Sequence, residues 1–256
     1  MGRKGPKRHL KRFPAPSFWP IERKAYKFTV RPSPGPHPLD RCIPLLVVVR
    51  DILGYAETAR EAKKVIKERQ IKIDGVPRTD HKFPVGLMDV IEIPAANEYY
   101  RVLPHPQKGM ILHPIPPEEA TFKLCRIENK TTVKGGHIQL NLHDGRNHLI
   151  RVSDPMKPVE DVYKTLDVIK LSIPEQEILD HIKFEKGVIA IVIGGKNIGL
   201  TGRVVEIEKR FGRHRSIVTL EAATKDLFKT SLAYVFPIGV DKPLISLPKE
   251  AGWIES

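Results

Sequence analysis

The residues in this 256-residue chain best placed to do chemistry are cations at regular spacing. Arg60, Lys63, Lys64 and Lys67 recur three and four apart, the interval that stacks side chains on one face of an α-helix. Four cations on one face can neutralise neighbouring phosphates and release their counterions, so the chemistry suggested is polyanion binding rather than bond making. Exposed helix faces are often charged for solubility alone. Here, however, Glu57, Glu61 and Glu68 sit at the edges of the stripe and do not interleave it. Further cations stand at Arg78, at Lys196 beside Asn197, and at Lys209, Arg210, Arg213 and Arg215, a basic loop carrying the single aromatic Phe211.

Catalytic constellations fare worse. The run Gly194-Gly195-Lys196-Asn197-Ile198-Gly199-Leu200-Thr201 has the glycines of a phosphate loop, but Leu200 follows Gly199 where Lys and then Ser or Thr are needed. His143, Asp144 and His148 are close enough to imagine a metal site, yet His143-Asp144-Gly145-Arg146 also reads as a hairpin turn, which collects Asp and Gly for conformational reasons. Cys42 and Cys125 are the only cysteines and form no CxxC pair, which argues against structural zinc and for a reduced, cytosolic compartment. No metal, cofactor, small-molecule substrate or enzymatic activity is expected.

The elements that must hold these residues can be read from patterning. Thr58 and Glu61 form a capping box, and Ala59, Ala62, Val65 and Ile66 give the helix it starts an apolar face opposite the cations. Upstream, Leu46-Val47-Val48-Val49 is β-branched enough to be a strand, but is read as a buried helix closed by Gly54. Downstream, Ile71 and Ile73 lead into the Asp74-Gly75 turn, and Met88 to Ile93 alternates as a half-buried strand.

Net charge is +13, from 43 Lys and Arg against 30 Asp and Glu. Residues 1–40 carry ten basic residues against Glu22 and Asp40, so most of that excess lies in one arm. Arg3, Lys4, Lys7, Arg8, Lys11, Arg12, Arg23, Lys24 and Arg31 are its candidate RNA contacts. Prolines at 6, 14, 16, 20, 32, 34, 36 and 38 rule out a long helix, so the arm is expected to be extended and to order only against a partner. Phe13, Phe18, Trp19, Tyr26 and Phe28 interleave the cations and suit stacking on bases, Trp19 being a candidate contact that could instead dock on the protein body. The longest apolar runs fall far short of the ~20 residues of a membrane-spanning helix, and the proline-rich start does not look like a signal peptide.

The arrangement expected is α+β and multidomain: a basic arm over 1–40, an α/β RNA-binding domain over 41–95, a central antiparallel β domain over 96–172, a small β-barrel over 173–240, and a tail over 241–256. A proline-rich connection from Leu103 to Pro117 is expected to break regular structure between the second and third units.

Several segments resemble known families. Residues 43–93, with their capped basic helix, Asp74-Gly75 turn and Asp89-Val90-Ile91-Glu92-Ile93 strand, resemble the S-four-type RNA-binding domain. Strand, Gly-rich turn and strand over Glu185–Ile207 resemble the KOW motif, which implies an SH3-like barrel and admits a transcription-elongation factor as an alternative. Gly145-Arg146-Asn147 looks like a segment of pseudouridine synthases, but their Gly-Arg-Leu-Asp segment with its catalytic aspartate is absent. Taken along its length the chain is similar to the S-four-e family of small-subunit ribosomal proteins. The match is carried by Gly5 to Arg12, Trp19, Arg31-Pro32-Ser33-Pro34-Gly35-Pro36-His37, Ile71-Lys72-Ile73-Asp74-Gly75, Met88-Asp89-Val90-Ile91, Pro117-Glu118-Glu119-Ala120, Lys123-Leu124-Cys125, Thr201-Gly202 and Ile245-Ser246-Leu247-Pro248. That resemblance implies a non-catalytic, cytoplasmic, ribosome-bound protein whose partners are small-subunit ribosomal RNA and neighbouring ribosomal proteins. The chain stops soon after Pro248 without the basic tail of eukaryotic members, which favours an archaeal source.

Overall fold

The computed structural model describes residues 8–154, 158–212, 215–248 and 251. The chain is mostly β with few helices, in four successive units. The arm folds back on itself as a two-stranded ribbon, β1 (Leu10–Lys11) against β2 (Phe28–Thr29). Leu10, Ala15 and Trp19 are buried in the same core as the first helices of the next unit, so the described part of the arm, residues 8–40, packs on its own body, contrary to the expectation from its prolines.

In the second unit β3 (Cys42–Pro44) leads into α1 (Leu45–Val47), which continues as a π-helical turn over Val48–Ile52. Leu45 to Val49 are all buried, and this burial outweighs the β-branched preference for a strand. Gly54 follows at φ +71, the left-handed conformation a glycine adopts without Cβ strain. The basic helix α2 (Ala59–Lys67) starts at Thr58, whose side chain accepts from the Glu61 amide while Glu61 reaches back, completing the capping box. Next come β4 (Lys72–Ile73), β5 (Val76–Pro77), β6 (Pro84–Gly86), β7 (Val90–Ile93), β8 (Glu98–His105) and β9 (Gly109–Pro114). β3 pairs with β6, and the rest form an antiparallel sheet in the order β5-β4-β7-β8-β9.

That sheet corrects two sequence expectations. From Leu103 to Pro114 regular structure is not broken, because β8 and β9 form a hairpin in which Pro104 lies opposite Met110; only residues 115–117 leave the strand, as expected, on the way to the third unit. Pro104 lies beyond the end of the β7 pairing, and Pro114 ends the edge strand β9, so neither missing N–H interrupts the ladder. The boundary expected at 95/96 also falls inside this sheet, between paired strands β7 and β8.

The third unit comprises β10 (Phe122–Thr132), β11 (Ile138–Leu142), β12 (Asn147–Ile150), β13 (Val168–Ser172) and β14 (Ile178–Ile182), ordered β12-β11-β10-β13-β14. Here β13 pairs with β14 across the boundary expected at 172/173. The fourth unit is a meander of β15 (Ile189–Val192), β16 (Thr201–Glu208), β17 (Ile217–Glu221) and β18 (Leu227–Ser231), with β19 (Val235–Gly239) returning beside β15. The segment after it lies along the body: Ile245 is buried and Ser246 donates from its amide and hydroxyl to Glu119. One apolar core takes Met88 and Leu103 from the second unit, Phe122, Leu124 and Val168 from the third, and Ile189, Ile191 and Phe236 from the fourth.

Candidate nucleic-acid interface

The α2 face is built as the periodicity predicts. Ala62 and Ile66 are buried, and Arg60, Lys63, Lys64 and Lys67 all stand exposed. Lys64 has only a 4.0 Å contact with Glu68, one turn on, which leaves its charge open to solvent. Glu61 carries a carboxyl held below its ordinary value, chiefly by the Thr58 amide, so this acid of the stripe's edge is committed to the cap. The cations end near the C-terminal turn, where the helix dipole favours positive charge.

Other candidates separate by exposure and by the partners they hold. Arg8, Lys11, Lys24, Lys196, Lys209 and Arg215 are exposed. Arg8 and half-buried Arg31 line a groove with Lys82, a cation that sequence reading did not single out. Arg210 is exposed and paired with Glu208 at 3.2 Å. Asn197 is half-buried and donates to the Lys229 carbonyl. Half-buried Arg78 stacks over Phe83 at 4.4 Å, and its pKa is pulled down mainly by burial. Arg3, Lys4, Lys7 and Arg213 lie outside the described residues.

Three arm candidates are corrected. Trp19 is 2% exposed and donates its indole N–H to the Cys42 carbonyl at 2.7 Å, so its face is unavailable to RNA. Arg12 is buried, with its guanidinium donating to the carbonyls of Glu22 and Phe28. Arg23 donates to the carbonyls of Arg12, Ala15 and Pro16, which clamps the turn of the arm. A proline-rich loop lacks ladder partners, and these side chains satisfy the carbonyls it would otherwise bury unpaired.

Behind this surface lies a polar cluster that sequence reading missed. The ammonium of Lys123 on β10 is fully buried and contacts Asp74 at 2.9 Å, Asp89 at 2.5 Å and Asp144 at 3.0 Å. Asp74 also accepts from Arg146 and from the Val90 amide, while Asp89 accepts from the Gly86 amide and meets His37 of the arm at 3.0 Å. Burial alone would raise the carboxyls of Asp89 and Asp144, but the cations of the cluster reverse this and hold both well below the ordinary carboxylate range. Lys123 is in turn held above its ordinary value despite burial, by those three carboxylates. Asp74-Gly75 is the expected tight turn, with φ of 50 and 73, yet its carboxylate points into a junction rather than to solvent. An aspartate in a turn and a lysine between Phe122 and Leu124 offer no local signal of that burial.

Among the described residues, Cys125, His143 and Asp144 are the one group placed to hold a metal ion. His148 is not part of it. Each ligand is already engaged: Asp144 pairs with Lys123, and Nδ1 of His143 accepts from the Arg126 amide while Nε2 donates to the Leu87 carbonyl. Burial pushes the Cys125 thiol well up, and the Cys42 thiol up to about 12. No helix of the described residues is long and apolar enough to cross a membrane.

The helix pair, the Asp-Gly hairpin and the start of β7 lie within residues 43–91, which match the S4 domain, so this is an S4-domain protein. Residues 4–40 match the RS4NT domain and residues 96–178 the ribosomal family S4e. The chain is 61% identical over 253 residues to small ribosomal subunit protein eS4 of Staphylothermus marinus, covering 99% of this chain and 100% of that relative. It is 56% identical to eS4 of Methanocaldococcus jannaschii, covering 96% of this chain and 100% of that one. A crystal structure of the 30S ribosomal protein S4e from Thermoplasma acidophilum superposes with a TM-score of 0.65 at 32% identity, covering 78% of this chain and 96% of that chain. The chain belongs to the ribosomal S4e family.

Proposed function

We propose that this chain is a structural constituent of the small ribosomal subunit, on ribosomes in the cytoplasm, which binds ribosomal RNA and neighbouring ribosomal proteins and catalyses nothing. The observation that carries this is the near full-length identity to eS4 proteins, in a chain whose capped helix turns Arg60, Lys63, Lys64 and Lys67 to solvent. Such a face gives affinity for phosphates with little reading of base sequence. Arg8, Lys11, Lys24, Arg31, Lys196, Lys209, Arg210 and Arg215 extend it over the arm and the fourth unit. The meander with β19 returning beside β15 supports reading that unit as a KOW-like SH3 barrel that adds RNA contacts.

The test is sedimentation of the native protein from cell extract, before and after a salt wash. Migration with the small subunit that survives moderate salt is expected, and recovery at the top of the gradient would overturn the assignment. For α2 itself, Arg60→Ala with Lys64→Ala is expected to weaken RNA binding and reduce its salt slope by about one unit per lost phosphate contact. An unchanged slope removes the helix from the interface.

A further inference from the structure

The structure sorts the arm aromatics into two sets. Trp19 faces the core, but Phe13 is 72% exposed, Tyr26 73% and Phe28 49%. Among the described residues five Phe and Tyr side chains are exposed, and three of them belong to this arm, Phe28 on β2 and Phe13 and Tyr26 in the segment joining β1 to β2. Leu10 and Arg12 point inward and Lys11 and Phe13 outward, while Phe28 lies directly opposite Lys11 in the ladder. Outward faces of β-ribbons normally carry polar side chains, and leaving three rings in water costs free energy that burial in a partner would recover.

The surroundings specify the partner. Cations already lie near two of the rings: Arg12 sits 5.0 Å from the Tyr26 centroid and Lys27 5.6 Å from that of Phe28. Arg8, Lys11 and Lys24 add exposed positive charge on the same arm, whose own acids are Glu22 and Asp40; a groove beside Tyr26 also holds Glu57 and Asp51, the latter paired with Arg50. An apolar protein surface would have to desolvate these cations, whereas a nucleic-acid strand offers phosphates to them and flat base faces to the rings.

We propose that the exposed rings of the β1–β2 hairpin, Phe28 on β2 with Phe13 and Tyr26 in the connecting segment, form with Arg8, Lys11, Lys24 and Lys27 a stacking site for unpaired RNA bases. This rests on the RNA-binding reading above and adds a different mode of contact. The α2 face engages phosphates of any strand, paired or not; the ribbon engages bases that have left the helix.

The two modes separate by probe and by salt. The full chain is titrated with a twelve-nucleotide single-stranded RNA carrying 2-aminopurine and with a fully paired duplex RNA, each over a range of salt. The expected result is 2-aminopurine quenching on the single strand. Phe13→Leu, Tyr26→Leu and Phe28→Leu together keep apolar bulk but remove the π-faces, and should weaken single-strand binding by at least about 5-fold. Quenching should then be lost, while duplex affinity and both salt slopes stay as in the parent. Lys63→Ala with Lys64→Ala should do the reverse, lowering the slopes and keeping the quench. Because the three rings are exposed, thermal unfolding of the leucine variant should match the parent and separates loss of stacking from loss of fold. Salt-dependent binding without quenching by the parent, or leucine variants that bind like it, overturns the stacking site, leaves the phosphate reading intact and favours a protein contact for the ribbon. Absence of salt-dependent binding to either probe overturns both.

Discussion

At the scale of single residues, His143 shows how position sets chemistry. Its Nδ1 accepts from the Arg126 amide and its Nε2 donates to Leu87, so the neutral ring satisfies both neighbours and a second ring proton would face a donor. Burial leads the causes that bring its pKa down to about 4, with Lys123 and His37 adding to the shift and Asp144 opposing it. A folded value below the ordinary 6.5 means that the unfolded chain takes up the proton first. This stabilising term is fully present above about pH 6.5 and is lost as pH falls towards 4, amounting to at most about 3 kcal/mol. Urea midpoints measured from pH 7 to pH 4 should therefore fall more steeply for the parent than for His143→Gln; parallel curves would refute the shift. Asp89 and Asp144, held below 3.8, add a further loss at more acid pH, where their protonation breaks the pairs with Lys123.

Among the elements, α2 and the Asp74-Gly75 turn owe their form to local chemistry that the sequence states openly. Thr58→Ala removes the acceptor for the Glu61 amide and should cost about 1 kcal/mol in chemical denaturation. Lys63 and Lys64 would remain exposed, so RNA affinity at low temperature should hardly change. Gly75 carries a second, non-local constraint. At φ +73 any side chain is strained, and a Cβ there would meet Ile173 Cγ2 at 2.8 Å and Pro174 Cβ at 3.2 Å, in the β13–β14 turn of the next unit. Gly75→Ala should thus destabilise by about 1–3 kcal/mol, combining backbone strain with overpacking. A cost of only a few tenths would mean that the two turns do not bear on each other. The same hairpin was legible in Asp-Gly, but what it packs against was not.

For the whole molecule, the units are bound by contacts between residues far apart in the chain. Lys123 collects carboxylates from the second unit and from the 143–146 turn, and Arg126 donates to the carbonyls of Val235 and Ala233 in the fourth. Arg101 on β8 donates to the carbonyls of Glu119 and Phe122, tying the second unit to the third. With a shared apolar core as well, the chain should unfold in one transition. Lys123→Met strands three carboxylates in the interior and should cost about 3–5 kcal/mol, with the S4 domain separating from the β units as a distinct step. Tryptophan fluorescence, made specific for Trp19 by a Trp253→Phe background, would be followed alongside far-UV circular dichroism in urea. Coincident transitions at the parent midpoint would show that the cluster does not couple the units.

Sequence by itself determined the capped helix with its exposed basic face, the Asp-Gly turn, and about half the strands of the third and fourth units, those beside the 143–146 turn and the Gly-rich 194–202 turn. These depend on residues within one turn or one hairpin of each other, where propensity and periodicity act. It misplaced Trp19, Arg12 and Arg23, broke the β8–β9 hairpin at its prolines and set two boundaries inside continuous sheets. Only the tertiary structure decided those, and with them the Lys123 cluster. Whether a tryptophan, an arginine or an aspartate meets RNA or protein depends on what the chain brings beside it from tens of residues away, and no local pattern carries that distance.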